Sequence, residues 1–90
     1  MAKIDFTDGT YCGDRVDGKR HGNGTFVFAN GDIYSGEWQD DMPNGYGQYI
    51  ATNWTFTGSF TNGLNAKGVY SDIAGVYYKG TLKDGKFFAD

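Results

Sequence analysis

One proline, one cysteine and one histidine occur in the ninety residues, beside few leucines, isoleucines and valines. Each shortage excludes something. A lone cysteine, Cys12, cannot form an internal disulfide, which fits a reducing compartment. A lone histidine, His21, leaves no second imidazole for a zinc site, and no Cys–His nucleophile is persuasive. The aspartates do not follow EF-hand spacing, and the adjacent Asp40 and Asp41 would point to opposite sides of an extended chain. No catalytic residue, metal site or cofactor is therefore expected. No stretch approaches the roughly 20 apolar residues of a spanning helix, and the first six residues lack the apolar core of a secretory signal. Without secretion, the glycosylation sequons at Asn23 and Asn53 carry no meaning. A basic excess is also absent. Eleven acids against eight bases give a net charge of −3, which argues against a dedicated nucleic-acid binder. A soluble, cytoplasmic chain is expected.

Glycine and aromatic residues are abundant: fifteen Gly, seven Tyr, seven Phe and two Trp. Glycine does not recur every third residue, which rules out collagen, and 18% aromatic content is too much for a solvated linker. Aromatics spaced by glycine fit short strands and tight turns. They are also periodic. The segment Tyr34-Ser-Gly36-Glu-Trp38, followed by Asn44-Gly45-Tyr-Gly47-Gln-Tyr49, recurs from Tyr11, Phe56 and Tyr78. A period near 22 residues marks a repeat array.

The chain divides into a partial unit over 2–10, in which Ile4 and Phe6 stand where Phe26 and Phe28 stand in the next unit, then repeats over about 11–33, 34–55 and 56–77 and a partial repeat over 78–90. Strands are expected near 10–15, 24–28, 33–38, 46–51, 54–60, 67–72, 76–82 and 86–90. Polar loops over 16–23, 39–44 and 61–66 separate them, and Asn30-Gly31 reads as a hairpin turn in which both residues tolerate positive φ. The third unit is one residue short in its loop, with Ala66 near the position of Gly22 and Gly45. Residues two apart share a strand face, so Tyr34, Gly36 and Trp38 point the same way. Glycine weakens a strand unless a ring lies flat over the bare backbone. Each strand glycine is expected to be the socket for a ring from an adjacent strand.

This pattern closely resembles the MORN (membrane occupation and recognition nexus) repeat, most clearly in Tyr11-Cys-Gly13, Asp17 through Phe26, and Asn30 through Trp38. Departures are Asp41 where glycine is usual, the short loop at 64–67 and Leu82 in an aromatic slot. The resemblance implies an all-β, single-layer antiparallel sheet of consecutive hairpins, twisted, with a groove along one face. It also implies non-catalytic scaffolding and partner docking, dimerisation in some members, and a ciliary or cytoskeletal setting. The chain is expected to act as a small adaptor or as a subunit of a larger assembly. A partner helix or extended segment would lie in the groove, with Tyr34, Trp38, Tyr49, Phe60 and Tyr70 as its wall. Phe87 and Phe88, on an unfinished end strand, would pair with another strand. The alternative is an acidic phospholipid met by Lys19, Arg20 and His21, helped by Lys67 and Lys86. A choline- or wall-binding repeat would need Trp-Tyr-Tyr cages and a secretion signal, and neither is present.

Overall fold

A computed structural model describes residues 9–90; the partial unit expected at the amino terminus, with Ile4 and Phe6, lies outside the described residues. Eight strands follow in order: β1 (Gly9–Val16), β2 (Lys19–Phe28), β3 (Ile33–Gln39), β4 (Met42–Ile50), β5 (Trp54–Phe60), β6 (Ala66–Asp72), β7 (Tyr77–Lys83) and β8 (Lys86–Ala89). Each pairs antiparallel with the next, so the sheet order equals the chain order. The described part is 39 × 26 × 22 Å.

The strands are longer than the polar composition of 16–23 and 39–44 suggested. Asp17-Gly18, Asp40-Asp41 and Asp84-Gly85 have positive φ at both residues, the two-residue geometry that matches strand twist. Strand pairing therefore resumes at once. The β2–β3 turn differs from the expected one. Only Gly31 is left-handed there (φ 95°), while the Asn30 side chain accepts the Asp32 N–H at 2.9 Å.

Pairing builds two long rows on one face. Tyr11, Phe26, Tyr34, Tyr49, Phe56, Tyr70 and Tyr78 stand opposite one another across seven strands. Beside them run Gly13, Gly24, Gly36, Gly47, Gly58, Gly68 and Gly80 in the same order, ending opposite Ala89. With no side chains in that row, the sheet curls and rings lean across it. The Tyr11 ring covers Gly24, the Tyr34 ring covers Gly47 and the Phe87 ring covers Gly80, each from a neighbouring strand. The socket expectation fails at Gly13, Gly36, Gly58 and Gly68. At Gly13 and Gly36 the space a Cβ would take is met by backbone of the next strand and by the tyrosine hydroxyl of the same strand, and at Gly58 and Gly68 by the Lys67 and Thr57 carbonyl oxygens.

Candidate recognition surface

Repeat geometry begins with a bulge. The ladders slip between Gly13 and Arg15 and again between Gly36 and Trp38, so that Asp14 and Glu37 each stand alone opposite three residues, 21–23 of β2 and 44–46 of β4, where the extra residues lie. Asp14 and Glu37 are each held from two sides. The Tyr11 hydroxyl donates to the Asp14 carbonyl at 2.6 Å, and that of Tyr34 to the Glu37 carbonyl at 2.8 Å. The carboxylates accept the backbone N–H of Asn23 (3.2 Å) and Tyr46 (2.6 Å) respectively. Gly22 and Gly45, at φ 78° and 112°, lie against these carboxylates. The third unit has no such slip between β5 and β6, so it does not need the left-handed glycine, and Ala66 faces Phe60 directly. That accounts for both its shorter loop and its missing glycine.

Around Trp38 the rings close on one another. Its ring meets Tyr11 at 5.3 Å and Tyr34 at 5.2 Å, both edge to face, and its indole N–H donates to the Gly24 carbonyl at 3.1 Å. Tyr34 reaches Phe60 at 4.9 Å, and Leu64, from the β5–β6 loop, is buried with them. Burial in this array holds the Tyr34 and Tyr49 hydroxyls well above the usual phenol range; Glu37 adds to this at Tyr34, and a hydrogen bond to Asp32 at Tyr49. Along one edge a second ladder is stacked nearly face to face. Tyr49 to Trp54 and Trp54 to Tyr70 are 5.3 Å apart, and Tyr70 to Phe87 is 4.5 Å.

The five residues expected to wall the groove are therefore placed unequally. Tyr34, Trp38, Tyr49 and Phe60 are buried in the packed floor, while Tyr70 keeps some surface. Large exposed apolar side chains concentrate instead on and beside the β6–β7 hairpin: Ile73 (81%), Tyr77 (73%), Val76 and Tyr78. Tyr78 faces Tyr70 directly, with ring centres 5.8 Å apart. Phe87 is half-buried against the ladder, and Phe88 is exposed. An aromatic run with two adjacent tyrosines, following Ile73, was the sequence signal for this patch.

The basic loop also changes character. Lys19 is exposed and His21 half-exposed, but Arg20 is 9% exposed. Its guanidinium lies 5.3 Å from the Phe26 ring centre and 5.2 Å from that of Trp38, and its Nε donates to the Asp41 carboxylate at 2.8 Å. Asp41 takes a left-handed conformation that glycine would adopt more easily (φ 75°). Its contacts with Arg20 offset that cost. The carboxylate accepts the Arg20 backbone N–H at 2.9 Å, and the Asp41 N–H donates to the Arg20 carbonyl at 3.0 Å.

These hydrogen bonds, first the backbone one and then the side-chain one from Arg20, hold the Asp41 carboxyl below the usual aspartate range. A folded pKa below the unfolded one gives stability that is present above the unfolded value and lost as pH falls through the folded one. Thermal melts should therefore show a midpoint that declines as pH drops below the ordinary aspartate pKa. Asp41→Asn should be less stable at neutral pH and show a shallower decline; an unchanged acid profile would refute the assignment.

The tie from Asp41 to Arg20 is one of three stitches between hairpins. Gly63 N–H donates to the Pro43 carbonyl at 3.0 Å, and Gly85 N–H to the Leu64 carbonyl at 3.1 Å. Each joins a turn to the hairpin before it, at about one repeat's spacing. At the opposite rim the Ile73 N–H donates to the Asn53 carbonyl at 3.0 Å. Backbone bonds of this kind leave no side-chain signal in the sequence.

Comparison with known proteins agrees with this geometry. The family model described as MORN repeat matches residues 11–33, 34–55 and 56–76. The chain is 32% identical over 84 residues to Alsin from Rattus norvegicus and to Alsin from Homo sapiens, covering 86% of this chain and 5% of each relative. It thus spans about a twentieth of the length of those curated relatives.

Proposed function

Because this chain belongs to the MORN repeat family, whose repeats are non-catalytic protein- and membrane-binding modules, we propose that it is a docking module for a protein partner. It serves as a small adaptor or structural subunit of a larger cytoplasmic assembly, of the ciliary or cytoskeletal kind. The partner contributes an apolar helix or extended segment, laid over the carboxyl-terminal half of the ring face. One observation carries the reading. The central rings are buried in one another, whereas Tyr78, beside Tyr70 on that face, and Ile73 and Val76, in the turn next to it, are exposed apolar side chains at its end; Tyr77 is exposed on the opposite face. Apolar patches on soluble proteins mark interaction surfaces, and tyrosine is enriched among binding hot spots. Tyr70 and Tyr78 would form the seat, Ile73 and Val76 its lip, and Tyr34, Trp38, Tyr49 and Phe60 a rigid backing that limits the entropy lost on docking.

Crosslinking and mass spectrometry on a source lysate test this. Recovery of a defined partner, crosslinked near the β6–β7 hairpin, should fall at least roughly tenfold for the double variant Ile73→Ser/Tyr78→Ser. The melting midpoint should stay close to that of the parent. Equal recovery would sink the proposal. The phospholipid alternative is the weaker reading, because Arg20, its central cation, is occupied by Asp41 and two rings.

A further inference from the structure

Charge is distributed unevenly along the sheet. Over residues 9–53 six acids stand against three bases, whereas over 54–90 four lysines stand against three aspartates. The lysines share one side. Neither the β5–β6 nor the β6–β7 ladder contains a register slip, so faces alternate strictly there. Tyr70 and Gly68 of β6, and Tyr78 and Gly80 of β7, take the ring face. Lys67 of β6 and Lys79, Thr81 and Lys83 of β7 therefore lie on the other, and all three lysines are exposed. Lys67 stands opposite Thr81, and Lys86 stands opposite Lys83.

Three cations thus surround the Thr81 position. At a strand rise of about 3.3 Å per residue, Lys79 and Lys83 are about 13 Å apart along β7. Lys67 lies one strand over, about 4.8 Å away, at the level midway between them. Beside them is an open depression of about 370 Å³ whose lining includes Ser59, Lys67, Thr81 and Lys83. Acids are placed elsewhere. Asp72 is on the ring face opposite Trp54, and Asp84 is in the β7–β8 turn. Asp90 borders this face near Lys79, yet among the described residues no carboxylate forms an ion pair with any of the four lysines. Like charges directly opposite, as at Lys83 and Lys86, destabilise a sheet, so the cluster is a cost to the fold that an external anion would offset.

We propose that this basic face docks an acidic segment of a protein partner, extended along β7 with carboxylates at alternate positions. Side chains two apart on an extended chain are about 6.6 Å apart, which matches the step from Lys79 to the level of Lys67 and on to Lys83. Three carboxylates at alternate positions then each meet one ammonium group. Lys86 adds to the last of these, and the Ser59 and Thr81 hydroxyls supply donors between them. Complementary charge of this kind steers encounter and fixes register. A short segment suits the site better than an anionic bilayer. In the amino-terminal half the same face presents Asp14 and Glu37, both exposed, to any flat surface broad enough to cover the sheet. A segment confined to β6 and β7 stays clear of them. The contact lies across the sheet from the Tyr70–Tyr78 seat, so both can be occupied together.

Fluorescence anisotropy on the ninety-residue chain at low salt tests this, with two labelled peptides of glutamate and serine in equal composition. In one the residues alternate; in the other the glutamates are contiguous. The alternating peptide should bind at least roughly threefold tighter, and its affinity should fall as added salt screens the contact. Lys67→Ser/Lys83→Ser should weaken it at least roughly tenfold, with a melting midpoint no lower than the parent's. Lys19→Ser, at an exposed lysine on β2, should leave it unchanged. Vesicles of phosphatidylserine and phosphatidylcholine form the membrane arm. Four outcomes would overturn the proposal: no binding of the alternating peptide, no preference for it over the contiguous one, an equal loss in Lys19→Ser, or vesicle binding that needs Lys67 and Lys83 while peptide binding does not.

Discussion

Trp38→Ala is expected to lower stability by about 3–5 kcal/mol, the cost of truncating a fully packed large aromatic. The side chain is 2% exposed and wedged between Tyr11 and Tyr34. It also borders the Arg20 guanidinium, so its removal leaves a buried cation with one fewer aromatic face. A ninety-residue domain holds about 5–13 kcal/mol in all, and the loss is a large part of that. The melting midpoint should fall by more than about 10 °C. Trp38→Phe, which keeps a ring but loses the indole N–H to the Gly24 carbonyl, should fall between the two. Thermal or urea denaturation would decide. A midpoint within a few degrees of the parent would deny Trp38 its place in the core and return it to the list of residues free to meet a partner.

Gly68→Ala comes second in size. Its Cβ would collide with the Thr57 carbonyl oxygen and fall 2.7 Å from the Gly58 Cα. Both obstacles are backbone in a paired strand, so neither can swing aside as a flexible side chain would. Relief requires separating β5 from β6 or flattening the curl that brings them together. A cost of about 3 kcal/mol or more is expected, at the upper end for overpacking. Gly18→Ala is the control. No atom lies within 4 Å of a Cβ there, and only the left-handed backbone at φ 77° resists, for about 1 kcal/mol. Equal losses from the two variants in a denaturant titration would mean that strand conformation, not close approach, explains the glycine row.

Much of this was readable before any coordinates. Ring-x-Gly-x-ring spaced by about 22 residues marks the repeat, the alternation of faces and the antiparallel meander, because both periods are written in side chains. What escaped was written elsewhere. The segments from Lys19 and from Met42 look like loop because they are polar, yet a two-residue turn leaves them enough length to pair. Arg20 reads as a surface cation, and only its position beside Phe26 and Trp38, opposite a left-handed Asp41, turns it inward. Leu64 sits in a short polar loop, and nothing nearby in the sequence shows that this loop folds over the rings. The expected groove wall shows the same limit. Sequence places Tyr34, Trp38, Tyr49 and Phe60 at the centre of the array, but how far the sheet curls around them depends on backbone contacts along the glycine row.

The stitches between successive turns have a consequence for how such a chain comes apart. Each hairpin is bonded to its predecessor by a strand ladder, by rings and by one turn amide, as at Asp41, Gly63 and Gly85. Interactions confined to adjacent units make a linear chain of coupled elements, whose stability is a sum of unit and interface terms. A unit at either end shares one such interface and a central one shares two. Among the four described hairpins, melting therefore proceeds inward as a zipper does, and the two inner hairpins, the first of which holds Trp38, are the last to let go.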